Sequence, residues 1–132
     1  MSVDSIADFL TIIRNGVMVS KSFVTAPYSK MRHSIAQILK NEGYITDFVI
    51  VNADSDATRK LKVVLKYVDG EAVIHNIERI SKPGRRVYKG SQEIKPVIGQ
   101  LGISILTTSR GVIANQKAKK LSVGGEVICT VW

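Results

Sequence analysis

The hydrophobic positions near the start of the chain repeat with the period of an α-helix. Apolar side chains recur at spacings of three and four residues in "SVDSIADFLTIIRNGVMV", which predicts an amphipathic helix. Ser2, Asp4 or Ser5 is suited to cap its start, and Gly16 is placed to end it. The predicted apolar stripe is Ile6, Phe9, Leu10, Ile13 and Val17.

A second helix is predicted from Ser29, a suitable N-cap, to Glu42, with Gly43 as its stop. Lys30 and Arg32 fall in its first turn, where positive charge opposes the helix dipole. Two interpretations remain open: an outside anion compensates these charges, or they are tolerated surface cations. The apolar stripe is Met31, Ile35, Ile38 and Leu39.

The pattern then changes to the alternation of β-strands. "YITDFVIV" and "RKLKVVLKYV" are predicted strands joined by the polar turn "NADSDAT". One face of the second carries Leu61, Val63 and Leu65, and the opposite face is mostly lysine. "VIHNIERIS" is a third strand candidate, whereas "SKSFVTAP" is predicted to be an extended connection. Two helices and three antiparallel strands would form an N-terminal α+β lobe over residues 1–80.

Residues 81–132 are predicted to form a second, mainly β lobe. "SKPGRRVYKGSQEIKP" is rich in Pro, Gly, Ser and cations, and is predicted to contain a short strand at Arg86–Lys89. "GQLGISILTTS" and "GGEVICTVW" are predicted strands, with a short helix at 115–121 between them. The predicted fold class is therefore α+β with two small lobes.

Composition agrees with a small globular protein. Of the 132 residues, 45% are hydrophobic, which is enough for a core. No segment has the pattern of a signal peptide, and no apolar run approaches the roughly 20 residues needed to cross a bilayer. Cys129 lies in an apolar run and is expected to be a buried small hydrophobe. The cytosol is the expected compartment.

The net charge of +8 is concentrated in the second lobe. Residues 1–78 hold nine Lys/Arg and nine Asp/Glu, whereas residues 79–132 hold ten Lys/Arg and two acidic residues. A one-sided basic field attracts polyanions, most often nucleic acid, and no basic amphipathic helix favours a membrane. The alternative is that the positive charge only keeps the protein soluble. The charge pattern therefore favours a nucleic-acid partner.

Catalytic patterns are weak. His33 and His75 lie in helical and strand patterns, and no metalloprotease, nucleophile-elbow, CxxC or P-loop sequence is present. A small ribonuclease stays open because catalytic groups need to meet only in space. Asp54 and Asp56 are better explained as turn formers than as metal ligands. No catalytic residue, metal or cofactor is predicted.

RNA-binding chemistry is better represented. "TTSRG" (residues 107–111) places three hydroxyls, which can donate and accept, beside an arginine that can reach phosphate. "GRRVYK" surrounds Tyr88, a candidate stacking platform, with cations. Gly124 and Gly125 would let backbone amides approach RNA closely. Each feature alone is also typical of a turn or a core edge.

These segments resemble a known family. "LTTSRGVIANQKAKKLSVGGEVICTVW" is similar to the C-terminal signature of the small-subunit ribosomal protein S8 family: a hydroxyl triplet, a basic residue, Gly, an apolar pair, a short charged helix, VGGE and a closing strand. The resemblance continues through "SKPGRRVYKG", "YSKMRHSIAQILKNEGYI" and "DSIADFLTIIRNG", so it covers nearly the whole chain in order.

The resemblance implies a non-enzymatic, cytoplasmic component of the small ribosomal subunit that binds the central domain of its rRNA and helps assembly. It implies neighbouring small-subunit proteins as partners and, in some bacteria, repression of the family's own messenger through an RNA mimic. No cofactor, membrane or small-molecule substrate is expected. A generic basic RNA-interaction module and a small ribonuclease are the alternatives.

The resemblance also implies which residues contact RNA, by their positions in the matching motifs. The cations Arg86, Lys89 and Arg110 are expected to contact RNA because of their charge and their places beside Tyr88 and in the hydroxyl loop. In the C-terminal lobe the resemblance adds Tyr88, Thr107, Thr108, Ser109, Gly111, Gly124, Gly125 and Glu126. Those of the N-terminal lobe are Asp4, Ser5 and Arg14 in the first helix, and Ser29, Lys30 and Arg32 at the start of the second.

Overall fold

The computed structural model describes residues 4–51, 59–94 and 102–132. The chain divides into two compact units, one within residues 5–74 and the other within residues 75–132 together with Asp4. Helices and antiparallel sheets are both present, so the predicted α+β class is confirmed. Ser2 as a helix cap, and the turn containing Asp54 and Asp56, lie outside the described residues.

The first helix, α1, spans Ser5–Met18 and buries the centre of the predicted stripe at Phe9, Leu10 and Ile13. The prediction that Gly16 ends this helix was wrong. Gly16 is buried inside α1, where an added Cβ would meet the side chain of Val24. The glycine therefore permits close packing of the helix on the neighbouring strand.

The second helix, α2, spans Lys30–Asn41 and has the predicted ends. Ser29 is extended, with φ −151°, and its hydroxyl accepts the backbone N–H of Arg32 at 3.1 Å. Glu42 is the C-cap, and Gly43 follows with φ +81°, the left-handed region that glycine adopts without strain. Local sequence signals were sufficient here because the caps use neighbouring residues.

Three strands form the sheet of the first unit: β1 (Phe23–Pro27), β2 (Ile45–Val51) and β3 (Lys60–Leu65). They are antiparallel, with β3 in the middle. Alternate side chains are buried on one face, so the predicted alternation in β3 is confirmed. The buried set is Val24, Ala26, Ile45, Leu61, Val63 and Leu65.

The two helices and a three-stranded antiparallel sheet were predicted for this unit, but one strand of the sheet was wrongly assigned. The third strand of the sheet is β1, which was predicted to be a connection because only two of its apolar residues alternate before Pro27 ends it. A short ribbon, β4 (Tyr67–Val68) and β5 (Glu71–Ala72), completes the unit. Asp69 and Gly70 turn between them with φ of 53° and 79°.

The second unit contains a five-stranded antiparallel sheet: β6 (Ile77–Arg79), β7 (Tyr88–Lys89), β8 (Ile103–Thr108), β9 (Gly111–Ala114) and β10 (Gly125–Val131). The strand order is β6-β10-β8-β9. The end of β10 pairs with β6, and its start pairs with β7 on the same side. On its other side β10 pairs with β8.

The strand β6 corrects the assignment of "VIHNIERIS" to the N-terminal lobe. Ile77–Arg79 pairs with Cys129–Val131, and the ladder continues through hydrogen bonds from Ile80 N–H to Ile128 O (2.9 Å) and from Ser81 N–H to Val127 O (3.0 Å). Local hydrophobic alternation predicted a strand there. It carried no information about a partner roughly 50 residues away.

The remaining predictions for this unit were mostly correct. The helix α3 spans Asn115–Lys120, and β10 is the predicted closing strand. The strand β9 was not predicted, because "GVIA" is too short to show a clear alternation. Ile113 of β9 belongs to a hydrophobic core with Ile94, Leu106, Ala118 and Val127.

Candidate nucleic-acid interface

The first residues of β10 lie between two strands from distant parts of the sequence. Gly125 pairs with Lys89 of β7 and with Thr108 of β8. The adjacent row consists of Tyr88, Glu126 and Thr107. We call these two rows the β10 junction. It brings together the aromatic, hydroxyl and glycine segments that the sequence presented as three separate candidates.

The hydroxyl segment forms a tight hairpin turn beside the junction. Thr108 pairs with Gly111, so Ser109 and Arg110 occupy the turn between β8 and β9. The hydroxyl of Thr108 accepts the Arg110 N–H at 3.0 Å and donates to the Gly111 carbonyl at 2.9 Å. Gly111 has φ +98°, which L-residues rarely adopt.

This geometry separates the roles of the three hydroxyl residues. The hydroxyl proton of Thr108 is used inside the turn, which leaves its oxygen as an acceptor at most. Ser109 and Arg110 are exposed at the tip, and Thr107 is half-buried. The turn is therefore built by Thr108 and Gly111, and it presents Ser109 and Arg110 to solvent.

Gly124 and Gly125 are required by the packing of the strands. An added Cβ on Gly124 would meet the carbonyl oxygen of Lys89 and lie 2.7 Å from the Cα of Gly90. One on Gly125 would meet the Thr107 carbonyl and lie 2.9 Å from the Thr108 methyl. The expectation that these glycines let RNA approach stays a prediction, and close strand approach is a second reason for them.

Tyr88 is the exposed aromatic residue of the junction. Its side chain is 66% exposed on the two-residue strand β7. Its sequence neighbour Lys89 is also exposed, as is Arg86 two residues before it. An accessible ring beside cations is suited to stacking on a base while the cations attract phosphate.

The carboxylate of Glu126 is held within the protein. It accepts hydrogen bonds from the Ser81 hydroxyl and from Arg86 Nη1, the latter at 3.0 Å. The Ser81 hydrogen bond, followed by the hydrogen bond and charge of Arg86, lowers the pKa of Glu126 below its usual value, although burial opposes the shift. Glu126 is therefore ionised at neutral pH and fixes one donor of Arg86.

Ser81 was not predicted as a functional residue. The side chain is completely buried and adjoins the basic segment, but a serine between two strands carries no local signal. Its position just before "KPGRR" was the available clue.

Arg32 has a structural position in the first unit. It is 7% exposed, and its guanidinium donates to the Ser5 carbonyl (2.8 Å from Nη2) and to the Pro27 carbonyl (2.9 Å from Nη1). The guanidinium carbon lies 5.7 Å from the centre of the Phe9 ring. Arg32 thus joins α1 and the end of β1 to α2, and its Nε, Nη1 and Nη2 groups all donate to carbonyl oxygens of the protein.

The other N-terminal candidates have mixed surroundings. Asp4 pairs with Arg79, with Nε–Oδ2 at 3.1 Å, and Arg79 also donates to the Ile128 carbonyl at 2.8 Å. Arg14 is half-buried on α1, whereas Lys30 is exposed at the start of α2. Ser29 uses its hydroxyl as the helix cap and Ser5 uses its carbonyl to bind Arg32.

No catalytic constellation is present among the described residues. His33 lies 3.3 Å from the Tyr28 hydroxyl and packs edge-on against Phe48. Burial raises the pKa of the Cys129 thiol to about 12, with a smaller opposing effect from the charge of Arg79. Within residues 4–51, 59–94 and 102–132, no group of three His, Cys, Asp or Glu is placed to hold a metal.

The helices are short. None in the described part of the chain has the length and apolarity to cross a membrane.

Fold and surface together define a small basic α+β protein that presents an exposed ring, exposed cations and a hydroxyl-bearing turn beside one strand junction. A family model described as Ribosomal protein S8 matches residues 4–132. The chain belongs to the ribosomal protein S8 family. This is a family of structural proteins, so the prediction that the chain is not an enzyme is confirmed and the ribonuclease alternative is dropped.

Bacterial relatives match over nearly their whole length. The small ribosomal subunit protein uS8 of Marinobacter nauticus is 50% identical over 129 residues, covering 98% of this chain and 97% of the relative. The uS8 of Paraburkholderia xenovorans is 52% identical over 128 residues, covering 97% and 96%. The uS8 of Rhodopirellula baltica is 48% identical over 132 residues, covering 99% of each chain.

Proposed function

We propose that this chain is a structural component of the small ribosomal subunit in the cytoplasm, and that it binds the central domain of small-subunit rRNA through the β10 junction and the adjoining hairpin turn. The supporting observation is the convergence of Tyr88, Lys89, Thr107 and Thr108 on the start of β10. Neighbouring small-subunit proteins are its expected protein partners.

The chemistry of the surface suits an irregular RNA. Exposed Lys89, Arg86 and Arg110 supply positive charge for phosphates. Exposed Tyr88 supplies a stacking face, and the hydroxyl of Ser109 can both donate to and accept from base edges or 2′-hydroxyls. Phosphate contacts provide salt-dependent affinity, whereas the ring and hydroxyl discriminate among RNA shapes.

The internal contacts refine the list of residues that face RNA. Arg32 and the carboxylate of Glu126 are held by protein groups. We therefore assign them to supporting the fold, while Lys30 on α2 remains available for a neighbouring RNA segment. Arg86 shares one donor with Glu126 and retains others for phosphate.

A filter-binding titration tests the function directly. The purified chain is titrated with a small-subunit central-domain fragment and with an unrelated structured RNA of equal length, at several salt concentrations. We expect tighter binding to the central-domain fragment at every salt, with affinity falling as salt rises. Equal affinity for both RNAs would favour the generic basic module and reject the specific proposal.

Tyr88→Ala is the matched probe of the surface in this assay, with Phe23→Ala as its control. Both rings are exposed, at 66% and 45%, but Phe23 lies on β1 of the other unit. Loss of stacking from Tyr88 is expected to weaken binding by about 1–3 kcal/mol, and Phe23→Ala to leave it unchanged. If Phe23→Ala weakened binding and Tyr88→Ala did not, the RNA site would not lie at the junction.

Repression of the chain's own messenger is part of the same proposal. A messenger that mimics the rRNA site must contact the same ring, hydroxyl and cations. Tyr88→Ala is therefore expected to weaken the binding of both RNAs by a similar factor. Binding of the messenger leader without competition from the rRNA fragment would contradict a shared surface.

A further inference from the structure

Ser81 occupies a closed position behind the RNA-facing surface. Its side chain is 0% exposed. Its hydroxyl donates to the Glu126 carboxylate and accepts the Val87 N–H at 3.2 Å. One buried hydroxyl therefore connects the end of the β6 ladder, the segment entering β7 and a residue of β10.

The segment between Ser81 and Val87 is a closed basic loop, residues 82–86 ("KPGRR"). Both of its ends bind one residue of β10: Ser81 N–H donates to the Val127 carbonyl at 3.0 Å, and Val127 N–H donates to the Val87 carbonyl at 2.9 Å. Across the loop, Lys82 and Arg85 exchange two backbone hydrogen bonds of 2.9 Å. The cations of the loop are exposed: Lys82, Arg85 and Arg86.

We propose that Ser81 is a positioning residue for RNA binding: its hydroxyl fixes the basic loop and the following Tyr88 in the geometry that meets RNA. This inference rests on the proposed function. Ser81 is too buried to touch RNA, so it acts through the groups that it holds. A surface that is ordered before binding loses less conformational entropy when the RNA arrives.

The contacts of Ser81 explain why its hydroxyl matters more than its volume. Without it, the Val87 N–H loses its acceptor and the Glu126 carboxylate keeps only the Arg86 hydrogen bond among these contacts. The entry into β7 then becomes free to shift, and Tyr88 is the next residue. Arg86, bound to the same carboxylate, is also less constrained.

Ser81→Ala is the test, with Ser104→Ala as the matched control. Ser104 is a buried serine in the same unit, at 8% exposure, and its backbone N–H rather than its hydroxyl bonds Asn115. Affinity for the central-domain rRNA fragment is expected to fall about three- to tenfold in Ser81→Ala, as for one lost hydrogen bond. Ser104→Ala is expected to bind like the parent.

Two further readouts separate positioning from general destabilisation. In ¹H–¹⁵N spectra of the free protein, Ser81→Ala should shift the amides of Val87 and Tyr88 while those of α1 and α2 stay in place. In a double-mutant cycle, adding Ser81→Ala to Tyr88→Ala should cost less affinity than it does in the parent, because part of the Ser81 effect acts through the Tyr88 ring.

Several outcomes would overturn the inference. These are parent-like affinity in Ser81→Ala, an equal loss in Ser104→Ala, or full additivity with Tyr88→Ala. If Ser81→Ala does not fold, Ser81→Cys carries the test, since it keeps a similar volume with a much weaker donor. A parent protein without rRNA preference rejects the proposed function itself, whereas a preference that Ser81 does not influence rejects only this inference.

Discussion

Thr108 and Ser109 are adjacent hydroxyl residues with different surroundings. The Thr108 hydroxyl closes the hairpin turn through two hydrogen bonds, whereas Ser109 is exposed at its tip. A hydroxyl whose bonding groups are used within the protein stabilises the turn. A hydroxyl in solvent remains available to a ligand, so the two residues should respond differently to substitution.

Ser109→Ala is expected to weaken binding to the rRNA fragment by about 1–3 kcal/mol, because a polar partner in the complex would be lost. The free energy of unfolding should be unchanged, since the side chain is exposed. Filter binding and urea unfolding measure the two quantities. Ser22→Ala, an exposed serine of the first unit, is the control, and equal affinities for both variants would remove Ser109 from the specificity contacts.

Glu126 is expected to make the stability of the protein depend on pH. The hydrogen bond from Ser81 and the charge of Arg86 lower the pKa of Glu126 in the folded protein. Its contribution to stability is therefore present above the carboxyl pKa of the unfolded chain, and it is lost as the pH falls through the lower folded value.

In Glu126→Gln, the free energy of unfolding should fall less steeply as the pH is lowered than it does in the parent. Urea unfolding of the parent and the variant from about pH 7 to about pH 3 should show their difference shrinking as the pH falls. Glu93→Gln, an exposed carboxylate of the same unit, controls for the loss of one negative charge. A constant difference between parent and Glu126→Gln across the range would contradict the assignment.

At the scale of elements, the junction depends on how closely β7 and β10 approach. Gly124 immediately precedes β10, and a side chain there would meet the backbone of Lys89 and Gly90. The backbone cannot retreat as a flexible side chain can, so the strand pair must separate. Tyr88 and Lys89 would then leave their places beside Glu126 and Gly125.

Gly124→Ala is accordingly expected to destabilise the protein by about 1–3 kcal/mol, as overpacking does, and to weaken RNA binding. Gly84→Ala is the matched control, because a Cβ there has nothing within 4 Å. The control should change stability by less than about 1 kcal/mol. Urea unfolding compares them, and equal stability of the two variants would refute the packing role of Gly124.

At the scale of the whole molecule, elements were predictable where their signals are local. The ends of α2 follow from Ser29 and Gly43, and β10 follows from a continuous apolar run. The partner of β6 and the strand character of β1 were not predictable, because pairing depends on residues far along the chain. Periodicity identifies an element more readily than it identifies its neighbours.

The candidate site also combines features that local sequence predicts with features that it does not. Charge and residue type pointed to the segments around Tyr88, Thr108 and Gly125, but only the sheet places them side by side. The buried roles of Ser81 and Arg32 could not be predicted, because each is defined by tertiary hydrogen bonds. A cation or a serine looks the same in sequence whether it faces RNA or the core.

Mapping the RNA-bound surface residue by residue tests the central proposal most directly. A ¹⁵N-labelled chain would be titrated with the central-domain rRNA fragment, and amide shift changes recorded in ¹H–¹⁵N spectra. The largest changes should cluster at residues 86–89, 107–111 and 124–126. Changes concentrated on Lys60 and Lys62 of β3 or on α1, with the β10 junction unaffected, would contradict the proposal.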